Sequence, residues 1–559
     1  MAHSKKPGSG FGKKESLPTI NKNKHIEKED KAALLFQQGN HLAAEKILRS
    51  LIKENTKNHE TYFRLAMLCG MNGRSNEMEE MLLSAIEIKP NFSNALFNLG
   101  VIFQDRFQYD KAIEFYRVAI DNDATNLSAI SNLGVLLQKQ GQIEEAIEIF
   151  RRGLEQSPTH LECMYNLGMA LQECEKYSEA VDLYRAILLK SPGNPDVCGN
   201  LGRIFYYLRQ LETAKIYFEQ AILASDKHEV ANWSYAHLLL LQGDYARGLQ
   251  HYEYRLKSAE LFQLVVPSLP STLLWNGSNH YKGQEIIFIC EQGLGDTMQF
   301  IRYVKYLENS EYNVSICAPT KLHNLIAASH LCKTIYSPEE ISNKVDYLWL
   351  PLMSLMRILQ VNPGNVLVSE AYVSCSQELF QEWRKKIYCE EKCVIGLNWQ
   401  GNPDTEKSPD LRGRSIPLDA YSSISQVSNT KFVSLQKGVG SEQFLNCSFK
   451  YKFVNCQQEI DDTWDFLDAC AIMMNCSLII TSDTVVAHLA AALGRPTWLL
   501  LHVDSEWRWG LEGDTTFWYP SMRLFRQRER GNWNEVMERV VSELDKFLLD
   551  KKHLVIQEG

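Results

Sequence analysis

The residues with the clearest chemical potential are Ser482, Asp483 and Thr484, which stand between an apolar run and a helical stretch carrying His488. The apolar run, Ser477-Leu478-Ile479-Ile480-Thr481, predicts a buried strand, and open α/β sheets bind ligands where their strands end. A carboxylate and two hydroxyls at a helix N-terminus could hold a sugar or an anion. His488 lies four residues beyond Thr484, on the same helix face. The alternative is that the three polar residues only cap the helix.

A second candidate site follows the apolar run from Glu285 to Cys290, where the chain reads Gly293-Leu294-Gly295-Asp296. The two glycines would let a ligand approach the backbone at the start of a helix predicted near 297–307. A third glycine is missing at the spacing that a dinucleotide-binding loop requires. Asp296 is therefore interpreted either as a general base or as a plain helix cap.

Three cations are predicted to lie near the ends of other strands. Arg412 and Arg414 belong to a polar loop that follows a strand ending at Trp399, and Lys437 follows the next strand. The planar fork of an arginine matches two oxygens of a diphosphate at once. A solvated surface loop is the alternative for the two arginines.

These residues need a scaffold of alternating strands and helices. Strand-like runs recur at 285–290, 313–317 and 347–350, and a second series follows at 393–399, 431–435, 477–481 and 497–501. The two series predict an N-terminal Rossmann-like half over 285–390 and a C-terminal half over 391–559 that ends in a helix. The two halves would face one another across a cleft, and a linker over 258–284 would precede them.

The region before the linker repeats every 34 residues, which predicts about seven helix pairs stacked over 27–257. The triplet Asn-Leu-Gly occurs four times in register, and an alanine and an aromatic residue recur at the same spacing. The glycine and the alanine would sit where helices cross closely, with the aromatic ring filling the seam. The repeated asparagines could bind an extended peptide backbone, because an amide both donates and accepts hydrogen bonds; they are Asn98, Asn132, Asn166 and Asn200.

Composition excludes several classes of protein. A net charge of -9 gives no general nucleic-acid footprint, although residues 1–26 form a lysine-rich segment that predicts a disordered tail. We find neither the apolar core of a signal peptide nor a run long enough to span a membrane, and we therefore expect a soluble, cytoplasmic protein. Cys389 and Cys393 lack a second pair that would complete a zinc site, so no metal is expected.

The repeat pattern resembles the tetratricopeptide repeat, and Pro90, Pro158 and Pro192 fall where that repeat often ends. The region 285–544 resembles the heptosyltransferase-like glycosyltransferases, which have two Rossmann-like halves of the GT-B type. Ser482 to Pro496 carries the resemblance to the donor-side motif of that family, and Gly295-Asp296 is similar to its acceptor-side motif. The combination of a repeat array with such a transferase is also similar to the architecture of protein O-linked N-acetylglucosamine transferases.

The resemblance implies inverting, metal-independent transfer of a sugar from a nucleotide-sugar to an acceptor, with no other cofactor. It implies that Asp296 is the base and that the repeats recruit a protein or peptide acceptor. The implied donor-binding residues are Gly293, Gly295, Ser482, Asp483, Thr484 and His488, with Arg412, Arg414 or Lys437 in place of the family's lysine. Val485 replaces the family's usual glycine and the family's lysine is not clearly matched, which keeps a non-catalytic scaffold open as the alternative. A nucleotide-sugar epimerase or hydrolase on a similar two-half sheet is the third possibility. The sugar, nucleotide, acceptor and oligomeric state stay open.

Overall fold

The computed structural model describes residues 19–257, 273–278, 283–341, 344, 347–390, 392–407 and 412–557. The chain forms two compact units, Met1–Pro192 and Gly193–Gly559. The predicted tail lies outside the described residues up to position 18. Residues 19–26, predicted to belong to the same tail, are helical, because the first helix begins at Thr19.

The first unit consists of consecutive antiparallel helix pairs. Its helices are α1 (Thr19–Gln37), α2 (His41–Lys53), α3 (His59–Met71), α4 (Ser75–Ile88), α5 (Ser93–Asp105), α6 (Tyr109–Asn122), α7 (Leu127–Lys139), α8 (Ile143–Gln156), α9 (Leu161–Glu173) and α10 (Tyr177–Lys190). The 34-residue period of the sequence is thus one helix pair per repeat, as predicted.

The repeated glycines set how closely the two helices of a pair approach. A Cβ atom on Gly134 of α7 would lie 2.4 Å from the ring of Phe150 on α8, and one on Gly100 would lie 2.5 Å from Tyr116. Phe150, Tyr116 and the repeated alanine Ala146 are fully buried. The predicted packing roles of the glycine, the alanine and the aromatic residue are therefore confirmed.

The second unit contains two further helix pairs and the α/β region. The pairs are α11 (Pro195–Tyr207) with α12 (Leu211–Ala224) and α13 (Glu229–Leu241) with α14 (Tyr245–Tyr252), followed by a 3-10 turn at Glu253–Lys257. Apolar side chains of the second pair, including Leu240, Tyr245 and Tyr252, belong to the same hydrophobic core as the strands described next.

Two parallel sheets form the remainder of the second unit. The first has the order β3-β2-β1-β4, with β1 at Ile286–Ile289, β2 at Val314–Cys317, β3 at Thr334–Tyr336 and β4 at Leu348–Pro351. The second has the order β6-β5-β7-β8-β9, with β5 at Cys393–Asn398, β6 at Thr430–Ser434, β7 at Leu478–Ser482, β8 at Thr497–Leu501 and β9 at Met522–Arg526. All the paired strands are parallel.

Helices connect and cover these strands. Those around the first sheet are α15 (Leu294–Phe300), α16 (Arg302–Asn309), α17 (His323–Ala328), α18 (Pro338–Ile341), α19 (Leu355–Ile358) and α20 (Gln377–Ile387). Those of the second sheet are α21 (Gln457–Asp462), α22 (Phe466–Met474), α23 (Val485–Ala492) and α24 (Trp533–Gln557). Strands alternating with helices in this way match the predicted α/β class, with two sheets as expected.

The segment predicted as a linker over 258–284 lies partly outside the described residues. Within it, Leu274 forms a parallel bridge with Trp349 of β4, and the backbone N–H of Trp275 donates to the carbonyl of Trp349 over 2.8 Å. The Trp275 side chain is 2% exposed. Leu274 and Trp275 are therefore attached to β4 of the first sheet, and this part of the predicted linker is not a free connection.

Candidate functional site

Asn398, the last residue of β5, joins the carboxyl ends of neighbouring strands in the second sheet. Its Oδ1 accepts hydrogen bonds from the hydroxyls of Thr481 (3.1 Å) and Thr484 (2.9 Å), at and just beyond the end of β7. Its Nδ2 donates to Oε1 of Gln436 over 2.8 Å, just beyond β6. From β5 the chain goes first to β6 on one side and later to β7 on the other side. The gap between β5 and β7 is therefore the switch point, which is where open α/β sheets bind ligands.

Gln436 ties the two loops of this edge together. Its Oε1 also accepts from the backbone N–H groups of Trp399 (3.2 Å) and Gln400 (3.0 Å), and its Nε2 donates to the carbonyls of Gln400 and Val439. Asn398 and the amide of Gln436 were not among the site residues predicted from the sequence. The available signal was an amide side chain directly at or after two predicted strands.

The motif Ser482-Asp483-Thr484 lies at the same edge. Thr484 occupies the N-cap position of α23, yet no side chain caps that helix, because the Thr484 hydroxyl bonds to Asn398 instead. The simple capping interpretation of the three residues therefore does not describe their contacts. Oγ of Ser482 is fully buried and has no hydrogen-bond partner among the described residues.

The carboxylate of Asp483 is buried and is bonded to an indole. Nε1 of Trp509 donates to Oδ2 of Asp483 over 2.7 Å. Burial raises the pKa of Asp483 above its ordinary value, while the charge of Arg508 and the bond from Trp509 oppose that effect. Asp483 is thus held in place by the loop that follows β8.

His488 lies in a packed environment and is 2% exposed. Its Nδ1 is 3.1 Å from the hydroxyl of Tyr519, and its ring stacks on Trp509 with centroids 5.5 Å apart. Burial lowers the pKa of His488 well below its ordinary value, so the ring is neutral at pH 7. These contacts make His488 part of the support of the site, and its predicted role in donor binding stays a prediction.

The two predicted motifs meet at Gly295. A Cβ atom there would lie 3.1 Å from Cδ2 of His488 and 3.9 Å from Cα of Val485. Glycine at position 295 therefore lets α15, which follows β1 of the first sheet, pack directly on α23, which follows β7 of the second. Both motifs were predicted from the sequence, but their direct contact was not.

Asp296 pairs with a buried arginine from the far end of the chain. Nη2 of Arg508 donates to Oδ1 of Asp296 over 2.8 Å, and the backbone N–H of Gly293 donates to Oδ2 over 3.1 Å. Gly293 is the N-cap residue of α15, and Asp296 is the third residue of the helix. The helix therefore begins three residues earlier than an N-cap at Asp296 would require. Both carboxylate oxygens are thereby oriented, and each retains a lone pair for a further bond.

Arg508 is the central cation of this site. It is 8% exposed, and its Nε lies 3.1 Å from Oε2 of Glu506. Burial works against the charge, but Glu506 and Asp296 raise the pKa of Arg508 above the ordinary arginine value. A permanent positive charge is therefore paired with Asp296 and also acts on Asp483.

The three cations predicted to bind a diphosphate lie in different surroundings. Nη2 of Arg414 donates to the hydroxyl of Thr405 over 2.6 Å. The positive charge of Arg414 lowers the pKa of Asp483, which burial raises. Nζ of Lys437 donates to the carbonyl of Ile460, and burial lowers its pKa. Arg412 is half-buried and directly follows the undescribed residues 408–411. Of the three, Arg414 lies near the site motif, and Gly401 provides room for its guanidinium.

The repeated asparagines differ in accessibility. Asn98 donates from Nδ2 to the carbonyl of Asn94 over 2.7 Å, and Asn132 donates to the hydroxyl of Tyr116 over 3.3 Å; both are half-buried, as is Asn166. Asn200, in the second unit, is 6% exposed. The peptide ladder stays a prediction, and the burial of Asn200 makes it the weakest member.

A charged cluster that the sequence analysis missed lies at the end of β1. Nη2 of Arg255 donates to Oε1 of Glu291 (2.9 Å) and to the hydroxyl of Ser354 (2.8 Å), while its Nη1 donates to Glu253 (2.8 Å). Burial raises the pKa of Glu291 above its ordinary value. The last turn of the repeats thus inserts its arginine at the carboxyl edge of the first sheet.

Neither a metal-binding cluster nor a membrane-spanning helix occurs among the described residues. No three His, Cys, Asp or Glu side chains converge there as a metal site would require. Among the described helices, none combines the length and the apolar character needed to cross a bilayer.

Family models match parts of the repeat region. The tetratricopeptide-repeat model matches residues 59–92 and 195–228, and the model described as anaphase-promoting complex, cyclosome, subunit 3 matches residues 105–187. A curated relative, Protein FlbA of Caulobacter vibrioides, is 23% identical over 339 residues, which cover 56% of this chain and 54% of FlbA. The chain thus spans about half the length of that relative.

Solved structures of repeat proteins are also similar to part of the chain. YrrB, described as a tetratricopeptide-repeat protein with an unusual peptide-binding site, is 22% identical, with 33% of this chain and 95% of YrrB covered and a TM-score of 0.31. PilF of Pseudomonas aeruginosa is 22% identical, with 37% of this chain and 92% of PilF covered and a TM-score of 0.32. The repeat-model matches and the helix pairs together show that the N-terminal region is built of tetratricopeptide repeats, a protein-interaction fold.

Proposed function

We propose that the second unit transfers a sugar from a nucleotide-sugar to a hydroxyl of an acceptor that the tetratricopeptide repeats recruit. The observation that supports this most is the meeting of the two strand-end motifs, with Asp296 bonded to Arg508 and Gly295 packed on His488. Transfer between two substrates needs one group that activates the acceptor and another that holds the donor. Asp296, from the first sheet, and the edge formed by Asn398 and Thr484 meet these two needs.

In the proposed reaction an acceptor hydroxyl attacks the anomeric carbon as the bond from that carbon to the diphosphate oxygen breaks. The hydroxyl proton passes to the carboxylate of Asp296, which Arg508 and the N–H of Gly293 orient. The nucleoside diphosphate leaves with the bonding electron pair, and attack from the opposite face inverts the anomeric centre.

The departing diphosphate requires positive charge and hydrogen-bond donors. We assign these to Arg414, whose charge reaches Asp483, and to the uncapped N-terminus of α23. The buried hydroxyl of Ser482, which has no hydrogen-bond partner among the described residues, lies at the same edge. Lys437 is not assigned this role because its ammonium bonds to Ile460.

The test is nucleotide release from a panel of nucleotide-sugars, measured with the full chain, a protein extract as acceptor, and the variant Asp296→Asn. We expect release that falls by about 10²- to 10⁴-fold in the variant, since a general base contributes that much. Donor affinity should change little. Asp514→Asn is the matched control, because this aspartate side chain is 63% exposed. Equal rates for wild type and Asp296→Asn would remove Asp296 from the base role.

A second candidate function is a scaffold without catalysis. The residue that favours it is Val485, which stands at the start of α23 where the similar transferases have glycine. This hypothesis predicts that no nucleotide is released from any donor in the panel. Nucleoside diphosphate binding, measured by calorimetry, then separates a ligand-binding domain from a purely structural one.

A further inference from the structure

A buried tyrosine, Tyr519, contacts one ring nitrogen of His488. Its hydroxyl lies 3.1 Å from Nδ1 of His488, and the two side chains are 1% and 2% exposed. A neutral imidazole carries its proton on either Nδ1 or Nε2, and the nitrogen without the proton is an acceptor. The direction of this hydrogen bond therefore decides which nitrogen of His488 donates.

The neighbours of Tyr519 settle the direction of the bond. Tyr372 donates its hydroxyl proton to the carbonyl of Met298 over 2.7 Å, so the Tyr372 oxygen can only accept from other groups. The hydroxyls of Tyr372 and Tyr519 are 3.5 Å apart, which exceeds the range of about 2.5–3.0 Å for an O–H···O bond. If Nδ1 of His488 donated to Tyr519, the Tyr519 proton would have no acceptor at ordinary distance among the described residues. Tyr519 is therefore the donor and Nδ1 the acceptor.

The charge of Arg302 favours the same arrangement. Its guanidinium carbon lies 4.4 Å from the centroid of the Tyr519 ring, and its Nη2 donates to the hydroxyl of Tyr372 over 3.2 Å. Burial, together with the charges of Arg508 and Arg302, lowers the pKa of His488. Burial also raises the pKa of Tyr519 well above its ordinary value. The imidazole is thus neutral and the phenol keeps its proton, as a bond from Tyr519 to Nδ1 requires.

Packing fixes the orientation of the His488 ring. One face stacks on Trp509 with the two planes inclined by 24°, and Trp509 is itself held by its bond to Asp483. At the ring edge, a Cβ atom on Gly295 would lie 3.1 Å from Cδ2 and 3.6 Å from Nε2. The edge that carries Nε2 therefore faces α15 at its contact with α23, where the two predicted motifs meet.

We propose that Tyr519 is a positioning residue that fixes His488 as the Nε2–H tautomer, so that His488 is a hydrogen-bond donor at this contact and not a base. The proposal rests on the transfer function proposed above. Because the Nδ1 lone pair accepts from Tyr519 and Nε2 carries the proton, neither nitrogen can take the proton of the acceptor hydroxyl, which goes to Asp296. The N–H of His488 instead suits a phosphate oxygen of the nucleotide-sugar, since a charged acceptor strengthens the bond.

The first experiment reads the tautomer by nitrogen-15 NMR of the full chain, with labelled histidine and no nucleotide-sugar, at pH 7. Protonated and unprotonated ring nitrogens have well separated shifts, and long-range correlations to the ring hydrogens tell Nδ1 from Nε2. The signals of His488 are those that disappear in the variant His488→Gln. We expect a protonated Nε2 and an unprotonated Nδ1. A protonated Nδ1 in the wild-type protein overturns the proposal.

The variant Tyr519→Phe tests the cause, because it removes the hydroxyl and keeps the ring that packs against Arg302. We expect the Nδ1 signal to move and the ratio of the Nε2–H to the Nδ1–H tautomer to fall by about fivefold or more, as the loss of one hydrogen bond predicts. Tyr372→Phe is the matched control: it removes the neighbouring hydroxyl, which bonds to Met298, and should leave the Nδ1 signal in place. Circular dichroism at 222 nm verifies that both variants are folded. An Nδ1 signal that Tyr519→Phe leaves unmoved, or that Tyr372→Phe moves equally, overturns the role of Tyr519.

The phosphate contact has its own probe, inorganic pyrophosphate titrated into the wild-type protein. It should shift the Nε2 signal of His488 more than the Nδ1 signal, and an unmoved Nε2 signal overturns the donor role of His488. These readings need no catalysis, so an Nε2–H tautomer that depends on Tyr519 supports the proposal even if no nucleotide-sugar in the panel is used. Nucleotide release by a protein with Nδ1 protonated would keep the transfer function and overturn the role of Tyr519.

Discussion

At the scale of single residues, Arg508 determines the charge balance of the candidate site. Its side chain is 7% exposed and pairs with the carboxylates of Asp296 and Glu506. Removing one partner of a buried ion pair leaves the other charge desolvated and unpaired. We predict that Arg508→Gln lowers the free energy of unfolding of the second unit by about 3–5 kcal/mol.

The measurement is urea denaturation followed by tryptophan fluorescence. All eleven tryptophans of the chain lie in Gly193–Gly559, so this signal follows the second unit alone. Arg528→Gln is the control: its side chain is 73% exposed in its pair with Glu535, and exposed pairs contribute about 0–1 kcal/mol. If Arg508→Gln lowers the free energy of unfolding as little as the control does, the ion pair of Arg508 and Asp296 is not desolvated in solution.

His502, in the loop after β8, gives the second unit a defined dependence on pH. Burial lowers its pKa to about 4, against 6.5 in the unfolded chain. Below pH 6.5 the unfolded chain therefore binds a proton at His502 more readily than the folded chain does. The free energy of unfolding consequently decreases as pH falls from about 6.5 to about 4. The expected loss is about 1.4 kcal/mol per pH unit within that window.

The variant His502→Gln isolates this contribution. The difference in unfolding free energy between the variant and wild type should be constant above pH 7 and should shift in favour of the variant as pH falls toward 4. Differences in the fluorescence-detected urea midpoints at each pH provide the measurement. Parallel curves across the whole range would mean that His502 titrates with its ordinary pKa in the folded protein.

At the scale of elements, two glycines of α11 offer a matched comparison. A Cβ atom on Gly202 would lie 2.5 Å from the ring of Phe218 on α12, whereas one on Gly199 would meet nothing closer than 3.6 Å. We predict that Gly202→Ala destabilises the second unit by about 1–3 kcal/mol through overpacking. Gly199→Ala should stabilise it by up to about 1 kcal/mol, because alanine favours the helix. Equal effects in thermal unfolding would contradict this explanation of the repeat glycine.

The elements that could be predicted are those with a strong local pattern. The 34-residue period identified the helix pairs, and the buried run Thr497–Leu501 is strand β8 with the predicted bounds. Strands β3 and β9 were missed. Thr334–Tyr336 is short and partly exposed at a sheet edge, and Met522–Arg526 contains two arginines that break the apolar run. Such edge strands form because a neighbouring strand pairs with them, and that contact is absent from a local pattern.

The same distinction applies to the site. Ser482, Asp483 and Thr484 were predicted because they directly follow an apolar strand. The bond from Arg508 to Asp296 joins residues 212 positions apart, and no local signal connects them. The structure makes Arg508 the partner of Asp296 and Trp509 the partner of Asp483, and no strand-end pattern marks either residue in the sequence.

At the scale of the whole molecule, the repeat pattern and the compact units end at different places. The repeats extend to 257, but the second unit begins at Gly193 and includes the last two helix pairs. Leu240, Leu241 and Tyr245 share a core with the strands of both sheets. Arg255 is 2% exposed and bonds to Glu291 at the end of β1. The last repeats are therefore structural parts of the α/β region.

This arrangement predicts how the chain tolerates truncation. A fragment of residues 258–559 would expose the core face that Leu240, Tyr245 and Tyr252 cover, and it would leave Glu291 buried without its arginine. Exposed apolar surface of this kind and an unpaired buried charge each destabilise by several kcal/mol, which is comparable to the net stability of a domain. We expect the fragment 258–559 to aggregate or to unfold without a cooperative transition.

The fragment 193–559 retains those contacts and should unfold cooperatively, with a urea midpoint close to that of the tryptophan signal in the full chain. Expression of both fragments, followed by size-exclusion chromatography and fluorescence-detected unfolding, provides the comparison. A soluble 258–559 fragment with the same midpoint would show that the last two repeats dock on a domain already complete without them. The charge variant Arg255→Gln in the full chain then separates the causes, because it removes the partner of Glu291 while leaving the apolar face covered.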